Sequence, residues 1–236
     1  PNPWFRESAG WHTPTAITQS LLNQQMNDLT QTNQSYLYSP PSTPTSAAEN
    51  QRWYIARFTN ESGLYSTWEM DRSTIGGILA FHIDKEGEAG PNDVGLYSDY
   101  RKMPIDLETA SGKFDWAQNQ KPNALTGRDS LENRGVYTSR LIGSNGAFFR
   151  PDDDMEFAFY KNPNSNFRYS SGSSPYDYAQ GVTSGLSLKN ITQSGTSTIA
   201  DILVNDYEVT TNGVLYDGRW EVHGTVTVKN GIELTI

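Results

Sequence analysis

The side chains best suited to contacting a ligand fall in one long polar segment, Lys161–Gln180. Its sequence is KNPNSNFRYSSGSSPYDYAQ, and it contains no aliphatic side chain larger than that of Ala179. Tyrosine, serine, glycine and asparagine combine rigid aromatic area with adaptable hydrogen bonding, a mixture that recognition loops favour. We predict that this segment contacts a sugar or a protein partner through Phe167, Arg168, Tyr169, Tyr176, Asp177 and Tyr178. The alternative is a hairpin whose tyrosines fold back as a lid on a sheet.

Two acidic clusters each lack a feature that their chemistry needs. Glu69 and Asp71 share one strand face, as do the first two acids of the Glu-x-Asp-x-x-Glu strand in retaining jelly-roll glycosidases. Thr74 occupies the position of the third acid, so the acid/base residue is missing. Asp152–Asp154 and Glu156 could offer oxygen ligands to Ca²⁺, but they lack the spacing of a calcium hand. We therefore predict that the chain is not an enzyme and has no metal site.

The sequence contains no motif that binds a cofactor. The chain has no cysteine, which excludes disulfides, thiol catalysis, zinc fingers and iron–sulfur clusters. Its histidines, His12, His82 and His223, lie far apart, without a second ligand at metal-binding spacing. Neither a nucleophile elbow, a phosphate loop nor a dinucleotide fingerprint is present. We therefore predict that the protein uses no cofactor.

The charge balance argues against two classes of partner. The chain carries 27 acidic and 18 basic residues, a net charge of −9, and its Lys and Arg residues do not cluster. Nucleic-acid binding needs a cationic surface that displaces counterions, so we expect no nucleic-acid partner. No apolar run approaches the ~20 residues of a transmembrane helix, so we expect no membrane insertion.

From Gln51 onward the sequence has the two-residue period of β-strands. In RWYIARF, Trp53, Ile55 and Arg57 point one way, while Tyr54 and its alternate neighbours point the other. Further strands are predicted in the following runs: Leu64–Met70, Gly77–Ile83, Val94–Tyr97, Gly135–Ile142, Glu156–Tyr160, Gly181–Leu188 and Ile199–Val204. Their spacing is typical of an antiparallel sandwich or barrel.

The C-terminal stretch predicts a β-meander. The buried face of one strand would carry Trp220, Val222, Gly224, Val226 and Val228. The alternating Glu, His, Thr and Lys residues would lie on its exposed face. The dipeptides Asn212-Gly213, Asp217-Gly218 and Asn230-Gly231 would form tight hairpin turns, because Asn, Asp and Gly tolerate positive φ.

The first fifty residues differ from the rest. Thr13-Pro14 resembles a helix N-cap followed by proline, and Ile17, Leu21, Leu22, Met26 and Leu29 recur at helical spacing. We predict an amphipathic helix over Pro14–Leu29 that packs on the sheet or, alternatively, pairs with copies of itself. Ser39–Asn50, with three prolines, is predicted to be a linker.

The predicted architecture is all-β: residues 51–236 form a single antiparallel sandwich or jelly-roll-like domain, and residues 1–50 form the N-terminal helix and arm. The chain of 236 residues is long enough to bury a core without disulfides. Its polarity comes mainly from uncharged side chains, and it contains 13 Tyr, 9 Phe and 6 Trp. This composition is typical of β-rich surface proteins.

In composition and strand pattern the chain resembles viral and phage structural proteins, namely capsid protruding domains, spikes and fibre heads. The resemblance covers residues 40–236: a cysteine-free, acidic β domain, rich in Ser, Thr, Asn and Tyr, entered through a Pro-rich linker. It implies a homo-oligomer on the virion surface that attaches to a host glycan or receptor. The alternative is a β-jelly-roll carbohydrate-binding protein or glycoside hydrolase.

Overall fold

The computed structural model describes residues 2–39, 51–59, 76–84, 105–108, 110, 148–151, 156–161, 165–168, 180–214, 219–222 and 224–235. Strands dominate these residues, which confirms the all-β class. The helices are α1 (Pro3–Ser8) and α2 (Leu29–Thr32). The strands are β1 (Thr15–Ala16), β2 (Leu21–Met26), β3 (Ser35–Tyr38), β4 (Gln51–Phe58), β5 (Gly77–Asp84), β6 (Ile105–Glu108), β7 (Phe167–Arg168), β8 (Gln180–Val182), β9 (Ser187–Ser194), β10 (Ser197–Leu203), β11 (Glu208–Val209), β12 (Gly213–Val214), β13 (Arg219–Glu221), β14 (Thr227–Val228) and β15 (Leu234–Thr235).

The largest sheet has five strands in the order β1-β3-β4-β5-β6. β1 pairs with β3 in parallel, and the other neighbours are antiparallel. The alternation predicted for RWYIARF is confirmed. Trp53 and Ile55 lie in one core cluster, and Tyr54 lies in another on the opposite face. Because both faces of β4 are covered, nearly every side chain in this strand is buried.

The main core joins the five-stranded sheet to a three-stranded sheet of order β2-β10-β9. Trp53 and Ile55 contribute from the first sheet, and Met26, Ala200 and Ile202 from the second. Each large apolar side chain buried here contributes ~1.5–3 kcal/mol to stability. The opposite face of the five-stranded sheet carries a second core of Tyr54, Leu79, Phe81, Ile83 and Phe148, against which Trp4 of α1 packs.

The predicted helix over Pro14–Leu29 is wrong. These residues form β1, β2 and the first residue of α2. β2 pairs antiparallel with β10, from almost 180 residues later in the chain, and this ladder overrides the local helical pattern. The apolar residues at helical spacing do not share a surface, because Met26 is buried while Leu22 is 66% exposed. They therefore do not form the stripe from which self-association was predicted.

The N-terminal helix lies instead at Pro3–Ser8. Asn2 caps it with its side chain, which accepts a hydrogen bond from Phe5 N (2.9 Å), and Pro3 occupies the first helical position. The helix ends at Ser8, and Gly10, with φ +72°, closes a Schellman motif in which Trp11 N donates to the Arg6 carbonyl (2.8 Å). The Asn2-Pro3 signal is present in the sequence, eleven residues before the Thr13-Pro14 pair.

The first forty residues contribute strands to both main sheets. β3 pairs with β4 through Tyr36↔Ile55, and β2 pairs with β10 through Thr198↔Met26. The domain division predicted at residue 50 therefore falls between two strands that are neighbours in one sheet. The predicted linker, except Ser39, lies outside the described residues.

The predicted C-terminal meander is wrong in its connections. β11 pairs with β14, β12 with β15 and β13 with β8, and all three pairs are parallel. Val226 is partly buried, but Val228 is 41% exposed, so the predicted common face does not extend to it. Of β13 itself only the backbone is described, and Val222, which follows it, is partly buried.

The turn signals have mixed outcomes. Asn230-Gly231 forms a turn, with Gly231 at φ +82°, but it is not the predicted hairpin turn, because the flanking strands β14 and β15 pair with β11 and β12. Asn212-Gly213 leads directly into β12, and Asp217-Gly218 lies outside the described residues. The predicted strand Glu156–Tyr160 is wrong, because only Phe157 makes a bridge there, to Leu188.

The remaining strand predictions have different outcomes. Gly77–Ile83 is confirmed as β5, and Ile199–Val204 overlaps β10. Gly181–Leu188 is split between β8 and β9 by an irregular buried segment, residues 183–186. Three other predicted strands lie outside the described residues: Leu64–Met70, Val94–Tyr97 and Gly135–Ile142.

Candidate recognition loop

Within the candidate recognition loop, Lys161–Gln180, residues 169–179 are flanked in sequence by the two strands of a short antiparallel ladder. β7 pairs with β8 through Phe167↔Val182 and Arg168↔Gly181. Partners in such a ladder lie ~5 Å apart between Cα atoms, so Arg168 and Gly181 are held side by side. We call the β7–β8 ladder and the residues that fix it the loop base.

Phe167 anchors the loop base in the main core. It is 2% exposed, and its ring is stacked with those of Tyr38 and Trp53, each with a centroid separation of 6.4 Å. The His82 ring lies 6.2 Å from it. The prediction that Phe167 contacts a ligand is therefore wrong, because its apolar ring gains more from burial than from a polar loop surface. The burial of its ladder partner, Val182, shows the same inward face.

The other predicted contact residues lie at or beyond the edge of what the structure describes. The Arg168 backbone belongs to β7, and its side chain is outside the described part of the chain. Tyr169, Tyr176, Asp177 and Tyr178 are outside it entirely. Their contact with a ligand stays a prediction, and they follow and precede the ladder directly in sequence.

Buried polar contacts fix the chain as it enters β7. The Ser165 carbonyl accepts a hydrogen bond from Trp53 Nε1 (3.1 Å), and Ser165 Oγ donates to the Leu186 carbonyl (2.6 Å). Asn166 Nδ2 donates to the Phe159 carbonyl (2.9 Å). Each such bond contributes ~1 kcal/mol, and a buried group left without its partner costs more than that. The entry to the loop is therefore rigid.

The exit from β8 is equally constrained. Tyr38 Oη donates to the Ser184 carbonyl (2.5 Å), and Ser184 Oγ accepts from Leu186 N (3.0 Å). Burial raises the pKa of Tyr38, so the hydroxyl remains a donor across the physiological range. Gly185 has φ +74°, which L side chains rarely adopt, and an added Cβ would lie 3.0 Å from Tyr207 Oη, so both the backbone and the space favour glycine.

A third strand completes the loop base. β13 pairs in parallel with β8 through Arg219↔Gln180 and Glu221↔Val182. The C-terminal part of the chain thus supports the loop from the side opposite β7. Sequence reasoning missed this contact, because a parallel pairing of two three-residue strands leaves no period or turn signal that could reveal it.

The structure describes part of the second predicted acidic cluster, and the carboxylate of its glutamate already accepts hydrogen bonds. The Glu156 carboxylate accepts hydrogen bonds from Tyr160 Oη (2.7 Å), Thr210 Oγ1 (3.0 Å) and Thr211 Oγ1 (3.0 Å). These donors tie the segment before β7 to the chain after β11. Asp152–Asp154 lie outside the described residues, as do Glu69, Asp71 and Thr74 of the first cluster. Among described residues, no group of three or more potential ligands could hold a metal ion.

The two described histidines lie in different environments. His82 is buried and stacked on Trp53 (4.5 Å), with Nε2 2.9 Å from Gln51 Oε1. His12 Nε2 lies 2.5 Å from Ser35 Oγ. This pair has the composition of a base and a nucleophile, but Ser35 is 1% exposed, so no substrate reaches its hydroxyl. His223 lies outside the described residues.

The chain matches no family model, no curated protein and no solved structure. Within the described part of the chain, neither helix has the length and apolar character needed to cross a bilayer.

Proposed function

We propose that the chain is a non-enzymatic structural domain displayed on the surface of a virus or phage, and that the recognition loop attaches it to a host glycan or receptor. The contact residues are Arg168, Tyr169, Tyr176, Asp177 and Tyr178. The aromatic rings would stack on a sugar or fill a partner's pocket, and the two charged groups would orient it through charge-assisted hydrogen bonds.

The observation that supports this proposal most is the loop base. Binding residues are commonly held on loops that a rigid scaffold positions. Here Phe167 and Val182 fix both ends of the loop in the main core, while buried bonds from Trp53 and Tyr38 hold the flanking chain. A loop with firmly held ends loses less freedom when it binds, which favours affinity.

Charge and architecture are consistent with an outward-facing domain. The net charge of −9 suits a surface that does not contact packaged nucleic acid. The proposal includes a jelly-roll-like sandwich, with the five-stranded and three-stranded sheets as its layers. The supporting observation is the main core, to which side chains of both sheets contribute.

Homo-oligomeric assembly belongs to the same proposal and rests on the resemblance alone. Of the five apolar residues that suggested a self-pairing helix, Ile17, Met26 and Leu29 are buried within the chain, whereas Leu22 is exposed. Sedimentation equilibrium at micromolar concentrations tests it directly: a multiple of 26.3 kDa supports assembly, and a monomer contradicts it.

The attachment proposal is tested by binding of the fluorescently labelled chain to a panel of bacterial and eukaryotic cells. We expect binding to at least one cell type, and we expect Tyr169→Ala, Tyr176→Ala and Tyr178→Ala to weaken it. An interface anchor loses ~1–2 kcal/mol or more on truncation, about tenfold in affinity. Pretreating the cells with glycosidase or with protease separates a glycan from a protein receptor.

Trp11→Ala is the matched control for loss of an exposed aromatic side chain, since Trp11 is 69% exposed and belongs to the turn after α1. It should leave binding unchanged. Absence of binding to every cell type, or equal binding by wild type and all three tyrosine variants, contradicts the proposal.

A further inference from the structure

The sequence contains three Asn-Gly pairs, and the structure describes two of them in contrasting surroundings. Asn230-Gly231 forms an exposed turn between β14 and β15, closed by a hydrogen bond from Ile232 N to the Lys229 carbonyl (3.0 Å). Among the described residues, the Asn230 side chain and the Gly231 N–H have no hydrogen-bond partner. Both groups are therefore free to react with each other.

Asn212-Gly213 is held on both of its reactive groups. Gly213 N donates to the Glu233 carbonyl (3.1 Å), and Asn212 Oδ1 accepts from Glu233 N (3.0 Å). Gly213 also packs closely on Tyr160, whose ring would lie 2.6 Å from an added Cβ. Any movement of Gly213 N toward the Asn212 side chain would break the link between β12 and the chain before β15.

We propose that Asn230 is a site of spontaneous deamidation and that the folded structure protects Asn212. In the reaction, Gly231 N loses its proton and bonds to Asn230 Cγ, while the Cγ–Nδ2 bond breaks and ammonia leaves. Water then opens the resulting succinimide at one of its two carbonyls and leaves aspartate or isoaspartate. Glycine favours the attack because it has no side chain to hinder the approach.

The change would alter the charge and the geometry of this turn. A new carboxylate would arise next to Lys229, whose Nζ lies 3.3 Å from Glu208 Oε2. Isoaspartate would also insert an extra methylene into the main chain between Lys229 and Ile232, the two residues that close the turn. We expect this product to weaken the pairing of β15 with β12, which the turn immediately precedes.

The test incubates the full chain in warm, mildly alkaline buffer and maps both peptides by mass spectrometry over time. Deamidated product at Asn230 should accumulate at least about tenfold faster than at Asn212, since a local opening that costs ~1.4 kcal/mol already gives that factor. In denaturant the two rates should become similar, because the protection at Asn212 depends on the fold.

Asn230→Gln supplies the matched variant, because the longer side chain would have to close a larger ring. This variant should stay intact at position 230 and should remain folded, since the original side chain is exposed and unpartnered. Equal rates at the two positions in the folded protein, faster reaction at Asn212, or an Asn230 that stays intact while the denatured chain reacts would each overturn the proposal.

Discussion

Phe167 and Val182 face each other across the ladder at the loop base, and both side chains lie in the main core. This pairing couples two properties of the protein. The residues that carry the proposed binding surface begin immediately after Phe167 and end shortly before Val182, so the surface is held by the same contacts that stabilise the fold. Loss of the anchor should therefore destabilise the fold, whereas loss of the loop should abolish binding and leave the fold largely intact.

Removal of the anchor should destabilise the whole domain. Phe167→Ala removes a buried ring that packs against Tyr38 and Trp53, so we expect the free energy of unfolding to fall by ~3–5 kcal/mol. Phe167→Leu should cost less, about 1–2 kcal/mol, because most of the volume is kept. Urea unfolding followed by tryptophan fluorescence measures both. A loss below about 1 kcal/mol for the alanine variant would mean that Phe167 is not an anchor.

Asp28 should be among the most sensitive polar positions. Its carboxylate caps α2 through Thr30 N (2.7 Å) and accepts from Thr59 Oγ1 (2.6 Å), and the side chain is buried near Arg57. Asp28→Asn replaces one carboxylate oxygen, which accepts hydrogen bonds, with an NH₂ group, which donates them. This group would face the donors of Thr30 and Thr59 and would have no acceptor. We expect a loss of about 2–4 kcal/mol in chemical unfolding. Glu233→Gln, at an exposed side chain, should change stability by less than about 0.5 kcal/mol.

Two valines two residues apart test the corrected C-terminal packing. Val226 packs partly buried against the cluster of Phe159, Tyr160 and Val209, whereas Val228 is largely open to solvent. Val226→Ala should lower the free energy of unfolding by about 1–2 kcal/mol, and Val228→Ala by less than about 0.5 kcal/mol. If both variants lose the same free energy of unfolding in parallel denaturant melts, Val226 and Val228 share one buried face, as the sequence pattern predicted.

The protein should lose stability in mild acid through His12. Burial, and then the charge of Arg6, lower the pKa of His12, and Glu7 opposes them only in part; Ser35 Oγ contacts the ring from β3. The folded state therefore binds fewer protons than the unfolded state, and the free energy of unfolding rises with pH. This contribution is complete above the ordinary histidine pKa of ~6.5 and declines as the pH falls below it.

His12→Gln should flatten this part of the pH dependence, because glutamine does not titrate. Urea melts of both proteins at several pH values between mild acid and neutrality give the comparison. If the two curves keep the same slope, His12 does not cause the acid sensitivity.

Local sequence patterns predicted the structure correctly where both faces of a strand are buried. RWYIARF and the run at Gly77 gave β4 and β5, because alternation reports the two covered faces directly. The recognition loop stays a prediction from composition, since residues 169–179 lie outside the described residues. These features are properties of a few consecutive residues.

The errors arose where distant residues decide the structure. The segment at Leu21 has helical spacing, yet it becomes β2 because β10 supplies a ladder that a local pattern does not reveal. Phe167 was predicted to be a contact residue together with its polar neighbours, although its ring is apolar and lies in the main core. The parallel pairing of β13 with β8 likewise depends on chain segments that are far apart in sequence.

The most direct test of the central claim replaces residues 169–179 with Asn-Gly and measures cell binding and melting temperature on the same sample. Together with Gln180, the insert forms a three-residue connection between the ladder partners Arg168 and Gly181, a length that hairpins use, and it keeps Phe167 and Val182. We predict that binding is abolished while the melting temperature shifts by only a few degrees. Binding that survives the replacement would place the attachment surface elsewhere, and a collapse in melting temperature would show that the loop is a structural lid.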